Sequence, residues 1–86
     1  MKQSYRQNEN IVFRPEGDEA MLFNPESAEV MVLNVTGCYA WSLCDGKHSV
    51  DDITEAFVKE FDVVHENVKK DVANFIETLS RRKFLA

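Results

Sequence analysis

The side chains of this chain that could do chemistry are few: Cys38, Cys44, His48, His65 and the carboxylate pair Asp51-Asp52. A cysteine beside a histidine can act as nucleophile and base, and His, Cys and carboxylates together can hold a transition metal. Both uses need convergent groups, including a third one that orients the base. Neither cysteine belongs to a pattern that would supply them. Cys44 reads as a core thiol and Cys38 as a half-exposed one, and two cysteines on one short helix are poorly spaced for a disulfide framework. His48 lies in a polar K-H-S turn, and His65 begins a helix beside Glu66; both read as surface or capping residues. Asp51 and Asp52 stand in the first turn of a helix, where negative charge is favourable. With only Gly17, Gly37 and Gly46, there is no phosphate-binding glycine loop. The expectation is a protein that is not an enzyme and carries no cofactor or metal.

The 86 residues make one domain, 1–86, with residues 1–9 a frayed polar tail. A chain this short buries only about 60% of the surface its unfolded form exposes, which leaves little room for a core and a deep active site together. A hydrophobic content of 44% is nevertheless that of a globular protein. No apolar stretch reaches the roughly 20 residues needed to cross a bilayer, and the N-terminus has no apolar signal core. The expectation is a cytoplasmic protein without a membrane partner. The net charge of −5 opposes phosphate neutralisation, so no nucleic-acid partner is expected. The basic cluster Arg81-Arg82-Lys83 suits a helix C-terminus instead.

The elements that must position any site follow from periodicity. Ile11 to Glu16 reads as a strand, Gly17-Asp18 as a tight turn, and Glu19 to Asn24 as the returning strand. On that second strand Met21 and Phe23 share one face, and Ala20 and Leu22 the other. Pro15 favours an edge position for the first strand. Asn24 to Ser27 is a turn, and Ala28 to Asn34 makes a third strand. A helix over Leu33 to Gly46 follows, with Thr36 as its cap, Trp41 as a core anchor and Asp45-Gly46 as its stop. Ser49, with Asp52 three residues on, caps a second helix, whose apolar face is Val50, Ile53, Ala56, Phe57 and Phe61. The third helix runs from about Val64 to Arg82, with Val64, Val68, Val72, Phe75, Ile76 and Leu79 as its stripe. Phe84 and Leu85 fold back as a short apolar end. The fold class is α+β: a three-stranded antiparallel meander followed by three helices, βββααα.

Such a meander leaves the third strand with an open row of N–H and C=O groups. An extended peptide can add there as a fourth strand, between the strand and one flank of the long helix. The same edge can instead stay bare or pair with its twin in a homodimer.

Three stretches carry a family resemblance: R-P-E-G-D-E-A-M-L-F-N (14–24), L-N-V-T-G-C-Y-A-W-S-L-C-D-G (33–46) and V-K-K-D-V-A-N-F-I-E-T-L (68–79). Together they resemble the PqqD-like proteins, the recognition elements for precursors of ribosomally made, modified peptides such as pyrroloquinoline quinone or lasso peptides. The resemblance implies a winged-helix-like fold and no catalysis. It implies capture of a precursor's leader segment by strand addition and its presentation to a modifying enzyme, a radical-SAM protein or a leader peptidase. Carried onto this chain, the groove is Glu29, Val30, Met31, Val32 and Leu33 on the third strand. Lys69, Val72, Ala73, Ile76 and Glu77 are its counterparts on the third helix, with Lys69 pairing an acidic leader residue. Relatives often carry an aromatic near Val30 or Met31, and K-F-L-A replaces a more usual glycine-containing close. The rival readings are a winged-helix DNA-binding regulator, or a structural subunit that docks on an enzyme without touching peptide.

Overall fold

The computed structural model describes residues 3–86. Its central sheet is antiparallel, in the order β2 (Val12–Glu16), β3 (Glu19–Asn24), β4 (Glu29–Leu33). Helices α1 (Val35–Ser42), α2 (Val50–Phe61) and α3 (His65–Arg81) follow, so the α+β meander with three helices is present as expected. Gly17, at φ +66°, takes the first position of the two-residue β2–β3 turn, a conformation that glycine adopts without a Cβ penalty. Pro15 does lie on an outer strand.

The first half of the chain packs one sheet face. Leu22 and Leu33 are buried against Ala40, Trp41, Ile53, Val72, Ile76 and Leu79, and Ala20 is buried on the same sheet face. Phe23, Val30 and Val32 alternate to the outer face and are exposed. This is the period-two pattern of a half-buried sheet.

Two expectations are corrected. Within the tail expected at residues 1–9, Tyr5–Arg6 forms strand β1; residues 1 and 2 lie outside the described residues. β1 pairs with β5 (Asp45–His48), where the sequence reading placed the end of a helix and a turn. Gln7 N–H donates to the Cys44 carbonyl (2.9 Å), the Gln7 side chain to the Trp41 carbonyl (2.8 Å), and Asn8 N–H to the Phe84 carbonyl (3.0 Å). These bonds to backbone carbonyls cross long sequence separations in a polar segment, and no hydrophobic period announces them.

Helix α1 is accordingly shorter than Leu33 to Gly46, and its cap is Asn34 rather than Thr36. Asn34 Oδ1 accepts from Gly37 N–H (2.8 Å), while the Thr36 hydroxyl donates to the same oxygen (3.0 Å). A Cβ on Gly37 would stand 3.2 Å from that oxygen and 3.4 Å from the Leu33 side chain, so the glycine permits the cap.

Helix α2 begins with the expected capping box. Ser49 Oγ accepts from Asp52 N–H (3.2 Å), and Asp52 Oδ2 accepts from Ser49 N–H (2.9 Å). Ser49→Ala is expected to cost about 1 kcal/mol, read as a lower urea midpoint at unchanged slope.

Helix α3 ends in a Schellman motif. Phe84 N–H donates to the Leu79 carbonyl (2.8 Å) and Lys83 N–H to the Ser80 carbonyl (3.1 Å), with Lys83 left-handed at φ +67°. Leu79 and Phe84 supply its hydrophobic contact, both wholly buried. Asn8 and Asn24 each donate a side-chain amide to the Lys83 carbonyl (3.2 Å). Lys83 thus occupies a site that favours glycine. Lys83→Gly is expected to raise stability by about 0.5–1 kcal/mol, read as an upward shift of the melting midpoint.

Candidate functional site

The register of the sheet dictates what β4 offers. The Gly17-Asp18 turn sets Glu16 opposite Glu19, and in a two-residue hairpin that flanking pair exchanges hydrogen bonds. Alternating from there, Ala20, Leu22 and Asn24 direct their backbone groups at β4, opposite Leu33, Met31 and Glu29. Val30 and Val32 therefore turn their N–H and C=O groups to the open side. An independent contact agrees with this: Arg82 Nη2 reaches the Val30 carbonyl at 3.2 Å. Arg82 Nε also bonds Glu29 Oε2 at 3.4 Å. The Glu29–Val30 end of the edge is thus occupied by the chain itself, and Val32 remains as its free rung among the described residues.

Beside this edge lies a groove of about 750 Å³. Met31, Val32 and Leu33 form one wall, and Val68, Asp71, Val72 and Phe75 of α3 form the other. Its floor and far end come from Ala40 of α1, Phe57 and Phe61 of α2, and Val63 in the loop that follows. Tyr39 holds two of these rings edge-on, at 5.1 Å from Phe57 and 5.3 Å from Phe61, which fixes their tilt. Glu19 and Asp71 are the charged side chains that line the groove.

Of the residues expected at this site, Met31, Val32, Leu33 and Val72 line the groove. Glu29 and Val30 lie at the end held by Arg82. The structure does not bring the other helix candidates to it. Lys69 Nζ pairs with Asp51 Oδ1 at 3.0 Å, on the α2 side of the helix. Glu77 pairs with Arg81 at 3.4 Å in solvent, Ala73 is exposed, and Ile76 is buried in the core. The face of α3 toward β4 is instead the 68–71–72–75 flank. Its apolar members stood in the helical stripe already, so the stripe was visible but its division between core and groove was not. Phe57, Phe61 and Phe75, read as core residues, also line the groove.

The remaining chemical groups are quiet. Burial, with a smaller push from Asp45, raises the Cys44 thiol to about 12, and burial likewise raises Cys38, helped by Glu19. Both thiols are neutral at pH 7, whereas the thiolate is the nucleophile. Asp45 accepts from His48 Nδ1 at 2.8 Å and from Lys47 N–H, bonds that hold its carboxyl below the usual range. Among the described residues no group of three or more His, Cys, Asp or Glu could hold a metal ion, and no helix is long and apolar enough to cross a membrane.

Comparison with known proteins bears on this arrangement. The family model for coenzyme PQQ synthesis protein D (PqqD) matches residues 19–85, which spans β3 to the C-terminal turn. Among solved structures, TbiB1 in complex with the TbiA(beta) leader peptide is similar at 22% identity and a TM-score of 0.82, over 93% of each chain. A lasso peptide synthetase B1 complexed with the leader peptide is similar at 19% identity and a TM-score of 0.83, over 96% of this chain and 98% of that one. No curated protein sequence matches. At these identities the likeness is one of fold.

Proposed function

Because this chain belongs to the coenzyme PQQ synthesis protein D family, we propose that it is a non-catalytic module that binds the leader segment of a ribosomally made precursor peptide. The segment adds to β4 as a further strand, beside α3, and is presented there to a modifying enzyme, a radical-SAM protein or a leader peptidase. The observation that carries this reading is the free backbone rung at Val32, standing directly over an apolar groove. Strand addition supplies main-chain hydrogen bonds, and the groove accepts the side chains that alternate inward. Met31, Leu33, Val68, Val72 and Phe75 are the apolar contacts of that peptide. The two similar solved structures, each a complex with a leader peptide, support the same use of the fold.

The test is selection of a phage-displayed library of random 12-residue peptides on the immobilised full chain. Recovered peptides are then titrated into isotope-labelled protein. Amide shifts concentrated on Val30 to Asn34 and on the Val68 to Phe75 flank are expected. No enrichment over an empty support, or shifts confined to another surface, overturns the reading.

A further inference from the structure

The groove is charged unequally along its length. Arg82, at the C-terminal end of α3, meets Glu29 and Val30, where β4 begins. Helix α3 therefore runs opposite to β4, and Asp71, three turns earlier, lies toward the end of the strand. Glu19 stands at that same end, because Ala20 pairs with Leu33 and so places Glu19 beside Asn34. Glu19, Asn34 and Asp71 all line the cavity, and no Lys, Arg or His among the described residues does. Neither acid has an ion-pair partner among the described residues, whereas Lys69 is held by Asp51 and Arg82 by Glu29. The overall charge of −5 adds a field of the same sign.

Resting on the reading of the groove as a peptide site, we propose that its cognate segment is an apolar stretch with a lysine or arginine where it passes the Leu33–Asn34 end. Glu19 and Asp71 clamp that cation from the sheet side and the helix side. A cation there would gain two carboxylates beside low-dielectric walls, and an acidic residue would meet two like charges at the same place. Charge thus selects among apolar segments that the groove walls alone would treat alike. This is the reverse of an acidic leader residue held by Lys69.

The experiment uses the peptides recovered from the random 12-residue library. Enrichment of Lys or Arg at one end of the apolar stretch is expected. A recovered peptide should bind the Glu19→Gln/Asp71→Asn double variant about three- to tenfold more weakly, the range that two partly exposed ion pairs supply. Binding to the parent should weaken with added salt, and the Glu55→Gln variant on exposed α2 should match the parent. Melting curves of the double variant show whether it is folded. Groove-binding peptides that are neutral or acidic at that end, or an unchanged affinity in the folded double variant, overturn the charge clamp and leave the peptide site standing. A library that yields no groove binder overturns both.

Discussion

Val32→Pro should leave the domain folded and weaken binding of a groove peptide by at least about tenfold, while Met31→Pro, one residue away, should unfold or severely destabilise it. The contrast follows from backbone parity. Met31 stands opposite Leu22 in the hydrogen-bonded position of the β3–β4 ladder, so proline there deletes a ladder bond at the centre of that strand pair and drives its ring into β3. The unpaired Leu22 carbonyl alone costs about 1–3 kcal/mol, and the ring's clash adds to it, a large share of the stability of a domain this size. Val32, opposite Met21, has its N–H on the open side and gives no bond to β3. Proline at 32 therefore removes only the donor that an added strand would use, and places ring atoms where that strand would lie. Losing one such hydrogen bond, at about 0.5–1.5 kcal/mol, together with the ring's obstruction, accounts for the tenfold or greater loss. Circular dichroism separates the folding arm from the binding arm, and peptide titration reads the second. If Val32→Pro binds peptide as the parent does, strand addition on β4 is wrong even where the groove still binds.

Phe84→Ala is expected to cost about 3–5 kcal/mol and to leave much of the protein unfolded at 37 °C. The ring is fully buried, closes the hydrophobic contact of the α3 terminus on Leu79, and lies under the Arg82 guanidinium at 5.6 Å. Its carbonyl also accepts from Asn8 N–H, so the side chain anchors the point at which the N-terminal strand joins the C-terminal turn. Native domains of this length hold roughly 4–13 kcal/mol in total. Thermal melting checks the prediction, and a loss below about 1 kcal/mol would show that the site collapses around the missing ring. Peptide binding measured on this variant would report unfolding rather than recognition, which is why the Val32 test is the more informative of the two.

The parts of the fold that were legible in the sequence are those governed by short-range rules. The Ser49–Asp52 capping box, the Gly17-Asp18 turn and the alternation of Ala20 and Leu22 against Met21 and Phe23 each involve residues within a few positions of one another. The cap of α1 stands two residues before the expected Thr36, because Asn34 and Thr36 are both good caps. Only the geometry shows that Asn34 Oδ1 faces the Gly37 amide. Strands β1 and β5 were not legible, since a polar segment can pair through its backbone without any side-chain period. The K-F-L-A close departs from the glycine-containing one that the resemblance implies, and in the structure Lys83 takes the left-handed position that glycine would favour.

By itself the sequence determined the meander, the three helices and the family, because hydrophobic period and the 33–46 motif depend only on local order along the chain. It also pointed to β4 as an open edge, since an outer strand of a three-stranded meander has no further partner. Tertiary structure alone decided which flank of α3 faces that edge, which backbone groups on β4 are free, and which charges stand beside them. Those depend on how the α3 helix rotates about its axis when Ile76 and Leu79 enter the core and Phe84 locks its end. That rotation sends Lys69 to Asp51 and Asp71 to the groove.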